Sequence, residues 1–284
     1  MAQFDQLWDY YNPQATQEKF KALLPTLDDA ALRAELTTQI ARTHSLQRQF
    51  AEAHQLLDEL DPQITDEMPV ARVRYWLERG RAFNSNGERQ TACGLFEQAH
   101  DLAQRVGADF YAVDAAHMLG IAAEKEEQLA WNLRALALAQ NSAETRAHSW
   151  QGSLLNNIGW TYFFNADYDN ALHHFEQCLD FYMQANKRNE TLIARYSIAK
   201  TWRMQGRHNE ALAEQQAILA ERHAHNEIGE YVEEEIGETL HAMGETEAAK
   251  SHFTTAYREL SKDGWLVANE PERLERLRQL ANVT

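Results

Sequence analysis

The sequence predicts an all-α protein, a right-handed superhelix of stacked antiparallel helix pairs, and the placement of proline is the first observation behind this prediction. The prolines lie near the two ends of the chain, at positions 13, 25, 62, 69 and 271, and none occurs from Val70 to Glu270. A helix accepts proline only in its first turn, whereas the many turns of a large sheet protein use proline and glycine. The long proline-free stretch therefore favours helices.

The second observation is a regularly spaced series of small residues. Glycine follows an apolar stretch four times, and alanine takes the same place twice, which gives a series of anchor positions: Ala41, Gly80, Gly120, Gly159, Ala199 and Gly237. Neighbouring anchors are 38 to 40 residues apart. A fixed period of this size is the signature of a repeat architecture.

The third observation is that other residue types recur at fixed distances from the anchors. Twelve residues past them stand Ala53, Ala92, Asn132, Ala171, Ala211 and Ala249, and sixteen past them stand Leu57, Phe96, Leu136, Phe175, Gln215 and Phe253. Small residues let two helices approach closely, and large residues fill the space beside them. A single helix pair cannot bury its apolar face, so each pair is expected to stack on the next.

Helix ends and flanking segments complete the predicted organisation. A second glycine follows three anchors by seven residues, at Gly87, Gly206 and Gly244, where a positive φ would end a helix tightly. Asn12-Pro13 and Pro271 each predict the start of a helix. We expect capping helices or a degenerate repeat at 1–33, six repeats of about 40 residues at 34–262, and a C-terminal capping helix at 263–284.

The most complete repeat reads LNNIGWTYFFNADYDNALHHFEQC, over residues 155–178, and WLERGRAFNSNGERQTACGLFEQA at 76–99 is nearly as complete. Their order of bulky, small and aromatic positions resembles the tetratricopeptide repeat family. The long period is similar to the subclass found in kinesin light chains and bacterial peptide-responsive regulators. The third repeat departs most, with Ala123 and Asn132 where an aromatic residue and an alanine are usual. The resemblance implies a scaffold that binds a protein or peptide in a concave groove.

The charge balance argues against two classes of partner. Acidic residues outnumber basic ones by 43 to 27, for a formal net charge of −16. Such a chain is repelled by nucleic acid and by anionic membrane surfaces, so neither is expected as a partner. Residues 1–11 lack the pattern of a signal peptide, and no apolar run is long enough for a membrane span. The expected location is the cytoplasm.

A search for catalytic and metal-binding motifs finds none, so we expect neither an enzyme nor a cofactor. Cys93 and Cys178 sit in apolar helical patterns and are expected to be reduced, buried thiols. The histidine spacings do not suit metal ligation on a helix. The run Glu233 to Glu235 is expected to form a solvated helix face.

Helical periodicity predicts which residues face the groove: those six and three before each anchor, and those one and four after it. The candidate peptide-binding residues are Arg42, Arg74, Arg81, Asn156, Asn157, Trp160, Phe163, Tyr196, Lys200 and Arg203. Asn157 is included because the resembling families often place an asparagine there to bond the backbone of a bound peptide. Exposed aromatic rings beside cations indicate a peptide with acidic and apolar residues. In the alternative interpretation, Trp160 and Phe163 pack between helices and only stiffen the stack.

Two other functions remain open from the sequence. The end surfaces could pair two copies in a homodimer, with the groove incidental. The chain could also be a sensor that changes the pitch of its superhelix when it binds a small molecule or a signalling peptide.

Overall fold

The computed structural model describes residues 3–282, and in these residues it contains helices, turns and no strand, which confirms the predicted all-α class. The described residues form two compact units that divide between Leu154 and Leu155. No described helix is both long enough and apolar enough to cross a membrane.

The first unit begins with a short 3-10 helix, Gln3–Leu7, and contains a series of antiparallel helices. They are α1 (Pro13–Leu23), α2 (Ala30–Leu46), α3 (Phe50–Leu60), α4 (Pro69–Ser85), α5 (Arg89–Arg105), α6 (Asp109–Ala122), α7 (Lys125–Asn141) and the one-turn α8 (Thr145–His148). Two further 3-10 turns, Leu24–Thr26 and Asp61–Gln63, extend α1 and α3. The sequence did not predict α8.

The unit boundary falls inside α9 (Gln151–Phe164), and the second unit continues with the same alternation. Its helices are α10 (Tyr168–Gln184), α11 (Arg188–Met204), α12 (His208–Ala224), α13 (Glu230–Ala242), α14 (Thr246–Leu260), α15 (Gly264–Asn269) and α16 (Pro271–Leu280). Within each unit a helix packs on its neighbours in sequence, as α4 does on α5 and α13 does on α14.

Every anchor residue lies on the first helix of a pair, and three anchor glycines lie directly under an aromatic ring of the second helix. A Cβ added to Gly80 would lie 2.5 Å from Phe96, and one added to Gly159 would lie 2.5 Å from Phe175. A Cβ added to Gly237 would lie 2.8 Å from Phe253. Because real Cβ atoms do not approach other atoms so closely, only glycine lets the ring rest on the helix backbone.

The turn inside most pairs uses a left-handed residue seven positions past the anchor. Gly87, Gly206 and Gly244 have φ values of 90°, 79° and 84°, which confirms the prediction made for them. Arg48 and Ala166 adopt the same conformation, with φ of 59° and 58°, without being glycine. The corresponding repeat positions therefore require this conformation whatever the residue.

The third repeat differs, as its sequence indicates. Helix α6 ends at Ala122, and α7 begins at Lys125 after two extended residues, so the left-handed turn is replaced by a shorter one. Gly120 lies against Asn132 instead of a phenylalanine: a Cβ there would be 2.6 Å from the amide group, and Asn132 Nδ2 donates to the Gly120 carbonyl at 3.3 Å.

The flanking segments pack on the helix pairs next to them. Asn12 caps α1, with its Oδ1 accepting from the Ala15 amide at 3.1 Å, and Pro13 is the first helical residue. In the second unit Leu274 and Leu277 of α16 join a core cluster that contains Phe253.

We predict that Gly159→Leu destabilises the fold by about 1–3 kcal/mol, because the added side chain must displace the ring of Phe175. The measurement is urea denaturation of the two proteins. The matched control is Gly94→Leu, because Gly94 is also helical but has no atom within 4 Å of an added Cβ. That change is expected to be neutral or slightly stabilising. Equal losses in the two variants would contradict the close-packing explanation.

Candidate functional site

The second unit contains an apolar cavity of about 210 Å³ on the side of its first helices. We call it the aromatic cleft. It is lined by Trp160 of α9, Ile193 and Tyr196 of α11, Arg222 of α12, and the segment from Ile228 to Val232 that begins α13. Consecutive first helices therefore supply its walls, and the turn before α13 closes one side.

Three large apolar side chains around the aromatic cleft are open to solvent. Ile193, Ile228 and Tyr231 are 48%, 53% and 40% exposed, which is unusual for such residues when they lie beside one another. Contiguous exposed apolar surface in a concave site is typical of a binding site.

Trp160 lies at the border between the aromatic cleft and the core. Its ring makes edge contacts with Phe163 and Phe175, at centroid distances of 5.1 and 5.2 Å, and it also lines the cavity. Trp160 therefore packs between helices and also presents part of its surface to the cleft. Phe163, expected on the exposed face, is buried in the core cluster instead, and that expectation is wrong.

The turn that carries Ile228 is held by an ion-pair cluster. Glu227 accepts from Arg188 at 2.6 Å and from Arg222 at 3.2 Å, so it links the turn to α11 and α12. Gly229 follows, and a Cβ there would lie 2.8 Å from Leu219. The turn therefore lies close against α12, and Ile228 in this turn lines the cleft.

A charged cluster adjoins the aromatic part of the site. Lys200 and Arg203 of α11 both donate to the carboxylate of Glu235 on α13, and the Arg203 Nε lies 2.9 Å from Glu235 Oε2. Burial raises the pKa of Glu235, but the two cations outweigh that effect and hold the pKa below its ordinary value. The Lys200 Nζ also lies 5.7 Å from the ring centre of Tyr196.

Tyr196 itself stays a neutral phenol. Burial raises its pKa well above the ordinary value, and the charges of Glu235 and Glu234 add to the effect. The side of the cleft formed by Tyr196 is therefore uncharged at neutral pH.

The run Glu233 to Glu235 is buried, so the expectation of a solvated helix face is wrong. Glu233 accepts from His252 Nδ1 at 2.6 Å, and Glu234 accepts from Arg273 Nε at 3.0 Å. The partners come from α14, from α16 and from α11. Charge spacing within one helix does not reveal such partners, because they lie in other helices.

The predicted basic residues of the first unit also come together, in an ionic pocket where each has an acidic partner. Arg74 binds Asp5 at 2.8 Å and Glu35 at 3.2 Å. Arg81 binds Glu78 at 2.7 Å and also pairs with Asp114, while Arg42 lies 3.3 Å from Glu78. Arg74 is only 3% exposed, so its expected place on an open surface is wrong.

The structure thus divides the candidate residues between the two units. Arg42, Arg74 and Arg81 belong to the ionic pocket of the first unit, whereas Trp160, Tyr196, Lys200 and Arg203 gather in the second. Asn156 and Asn157 lie half-buried on α9 and are not among the residues that line the aromatic cleft.

Sequence reasoning missed several residues of the aromatic cleft. Periodicity does place Ile193 and Tyr231 on the groove face, six residues before their anchors, although neither is among the candidate peptide-binding residues. Ile228, Gly229 and Arg222 come from a turn and a second helix, for which periodicity of the first helices holds no signal. Within residues 3–282, no three His, Cys, Asp or Glu side chains are grouped to hold a metal ion.

We predict that Glu235→Gln lowers the free energy of unfolding by about 2 kcal/mol at pH 7, because Lys200 and Arg203 then face each other without their shared carboxylate. The lowered pKa of Glu235 fixes the pH dependence: the stabilisation is complete above the ordinary glutamate pKa and is lost as the pH falls through the folded value. The gap between wild type and variant is therefore expected to be constant from pH 6 to 8 and to narrow below about pH 4.

Urea denaturation at stepped pH measures this gap. The control is Glu247→Gln, which removes a carboxylate that is 85% exposed on α14 and is expected to change little. A gap that widens on acidification would contradict the assigned role of Glu235.

Comparison with known proteins identifies a repeat family and solved structures that resemble this chain. A family model described as tetratricopeptide repeat matches residues 150–220. No curated protein matches the chain.

Solved structures match over most of the chain. The apo form of RapI is 10% identical, with a TM-score of 0.71 over 92% of this chain and 76% of that one. Tetratricopeptide-like repeats of a putative kinesin light chain from Podospora anserina are 18% identical, with a TM-score of 0.57 over 70% and 99%. NprR in complex with its cognate peptide NprX is 14% identical, with a TM-score of 0.60 over 96% and 81%. The predicted resemblance is confirmed: residues 150–220 match the tetratricopeptide repeat family, and the chain has the fold of a tetratricopeptide-repeat solenoid.

Proposed function

We propose that this chain is a scaffold, an adaptor or regulator, that binds a protein or peptide segment by taking one of its apolar side chains into the aromatic cleft. The observation that carries the proposal is the exposure of Ile193, Ile228 and Tyr231 around one apolar cavity. A monomer gains nothing from leaving these side chains in water, whereas a partner that covers them gains the free energy of their burial.

The size and chemistry of the cleft favour a side chain as its occupant. A cavity of about 210 Å³ has room for one aromatic or branched aliphatic group. Trp160, Tyr196 and Tyr231 supply rings that stack on such a group, and aromatic residues of this kind dominate the energetics of interfaces. The peptide-bound state of NprR, a protein of similar fold, supports a peptide as the ligand class.

One cluster in the second unit suits the acidic group that is predicted for the ligand. Two cations, Lys200 and Arg203, share the single carboxylate of Glu235. Lys200 is 23% exposed, and its ammonium has three donors. An acidic group next to the apolar side chain of the ligand could accept from a donor that Glu235 leaves free.

Binding by this site requires no chemistry from the protein, and we propose binding rather than catalysis as its activity. The cytoplasmic location and the homodimer through the end surfaces stay predictions from the sequence.

We predict that Ile193→Ser weakens peptide binding at least tenfold and that Trp160→Ala weakens it by about 2 kcal/mol. The ligands are peptides selected on the wild-type protein from a random phage-displayed library, and fluorescence anisotropy measures their affinities. Ile193 is exposed, so its replacement leaves the fold intact, whereas Trp160 also contacts the core.

Two controls make the test specific. Trp265→Ala removes a tryptophan that is 61% exposed in the same unit but does not line the cleft, and it is expected to leave binding unchanged. Lys200→Gln is expected to reduce the salt dependence of binding if the ligand is acidic. Selected peptides that bind the Ile193→Ser variant as tightly as wild type would overturn the proposal.

A further inference from the structure

The N-terminal segment of the described chain lies across the ionic pocket of the first unit. We call residues 4–8 the strap. Phe4 is buried among Phe20, Leu36 and Ile40, and Trp8 Nε1 donates to the side-chain oxygen of Gln39 at 3.1 Å. An apolar side chain and a tryptophan thus anchor the two ends of a five-residue segment.

Between these anchors, Asp5 inserts its carboxylate between two arginines. Its Oδ1 lies 2.8 Å from Arg74 Nη2, and its Oδ2 lies 3.5 Å from Arg146 Nη2. The guanidinium of Arg74 also lies 5.2 Å from the ring centre of Phe4. The strap therefore combines apolar burial with recognition of one carboxylate.

The charges of the ionic pocket favour an occupant that carries one negative charge. Four arginines, at positions 42, 74, 81 and 146, meet three carboxylates of the helices, at Glu35, Glu78 and Asp114. Asp5 supplies the fourth negative charge. Among the described ion pairs, Arg146 has Asp5 as its carboxylate partner. Without the strap, this pocket would carry one excess positive charge in a chain whose net charge is −16.

The strap is a short segment at the start of the described residues. It forms most of a single 3-10 turn, Gln3–Leu7, and its contacts with the helices are made mainly by side chains. Hydrogen bonds from the chain to α1 begin at Asp9, whose amide donates to Thr16 Oγ1 at 3.0 Å. The link that follows is exposed, since Tyr10 and Tyr11 are both open to water. Asp9 therefore marks the point at which the chain becomes tied to α1.

We infer that the ionic pocket of the first unit is a second peptide-binding site, distinct from the aromatic cleft, and that the strap occupies it as a built-in ligand. The site binds a segment in which an acidic residue directly follows an aromatic residue. A second aromatic residue lies three positions after the acidic one. A partner protein that presents this pattern competes with the strap. Tethering gives the strap an effective concentration of the order of millimolar, so the full chain binds such a partner more weakly than a chain without the strap.

The test uses the chain lacking residues 1–8 and a fluorescein-labelled peptide with the sequence of residues 3–12, QFDQLWDYYN. Anisotropy is expected to show saturable binding to the shortened chain and at least tenfold weaker binding to the full chain. Peptides carrying Phe4→Ala or Asp5→Asn are expected to bind at least tenfold more weakly than the original. Equal binding of the Asp5→Asn peptide, or of the full and shortened chains, would overturn the inference.

Matched variants of the shortened chain locate the site. Arg146→Gln removes the second of the two arginine partners of Asp5 and is expected to weaken peptide binding at least tenfold. Arg134→Gln makes the same charge change on α7, where Arg134 lies over Trp131, and is expected to have no effect. Trp160→Ala, in the aromatic cleft, is also expected to leave this binding unchanged, which separates the inference from the proposed function.

A second measurement keeps the inference testable if the shortened chain does not fold. In the full chain, Phe4→Ala removes the main apolar anchor of the strap. This variant is expected to bind the labelled peptide at least fivefold more tightly than the wild-type chain, because the pocket is vacant for a larger fraction of the time. Binding no tighter than that of the wild type would overturn the inference.

Discussion

The packing of three helix pairs depends on the close approach of a phenylalanine ring of the second helix to the backbone of the first helix at an anchor glycine. Gly80, Gly159 and Gly237 each lie under such a ring, at a distance that no side chain allows. This contact sets the separation and rotation of the two helices in a pair. Rotation decides which residues of the first helix face the core and which face the groove, so the contact also decides where the functional side chains point.

Electrostatics acts between one repeat and the next. Glu35 pairs with Arg74 and Glu234 with Arg273, each 39 residues further along the chain, and Lys200 pairs with Glu235, 35 residues further along. Partly buried ion pairs add little net stability, but a misaligned one is costly, so such pairs specify which helix faces meet. As a result, most groove-facing cations already have partners within the protein, and the proposed recognition of a ligand uses chiefly apolar surface.

Apolar burial and charge pairing have different results in the two units. In the second unit the groove-facing residues leave Ile193 and Tyr231 open, and their surface gains free energy only when something covers it. In the first unit the strap already covers Leu36 and Ile40, and Asp5 completes the charge balance of the ionic pocket. The aromatic cleft is therefore open to solvent, whereas the ionic pocket is covered by the strap.

The sequence by itself determined the helical class, the period of about 40 residues, the glycine-based turns and the identity of the first helices, because these follow from local periodicity and backbone conformation. It also indicated Trp160 and Tyr196 for the aromatic cleft. Only the tertiary structure decided that Glu233 to Glu235 are buried, that Arg74 is enclosed by Asp5 and Glu35, and that Ile228 completes the cleft. These outcomes depend on partners 19 to 69 residues away, such as His252 for Glu233 and Asp5 for Arg74, and a pattern within one helix holds no information about them.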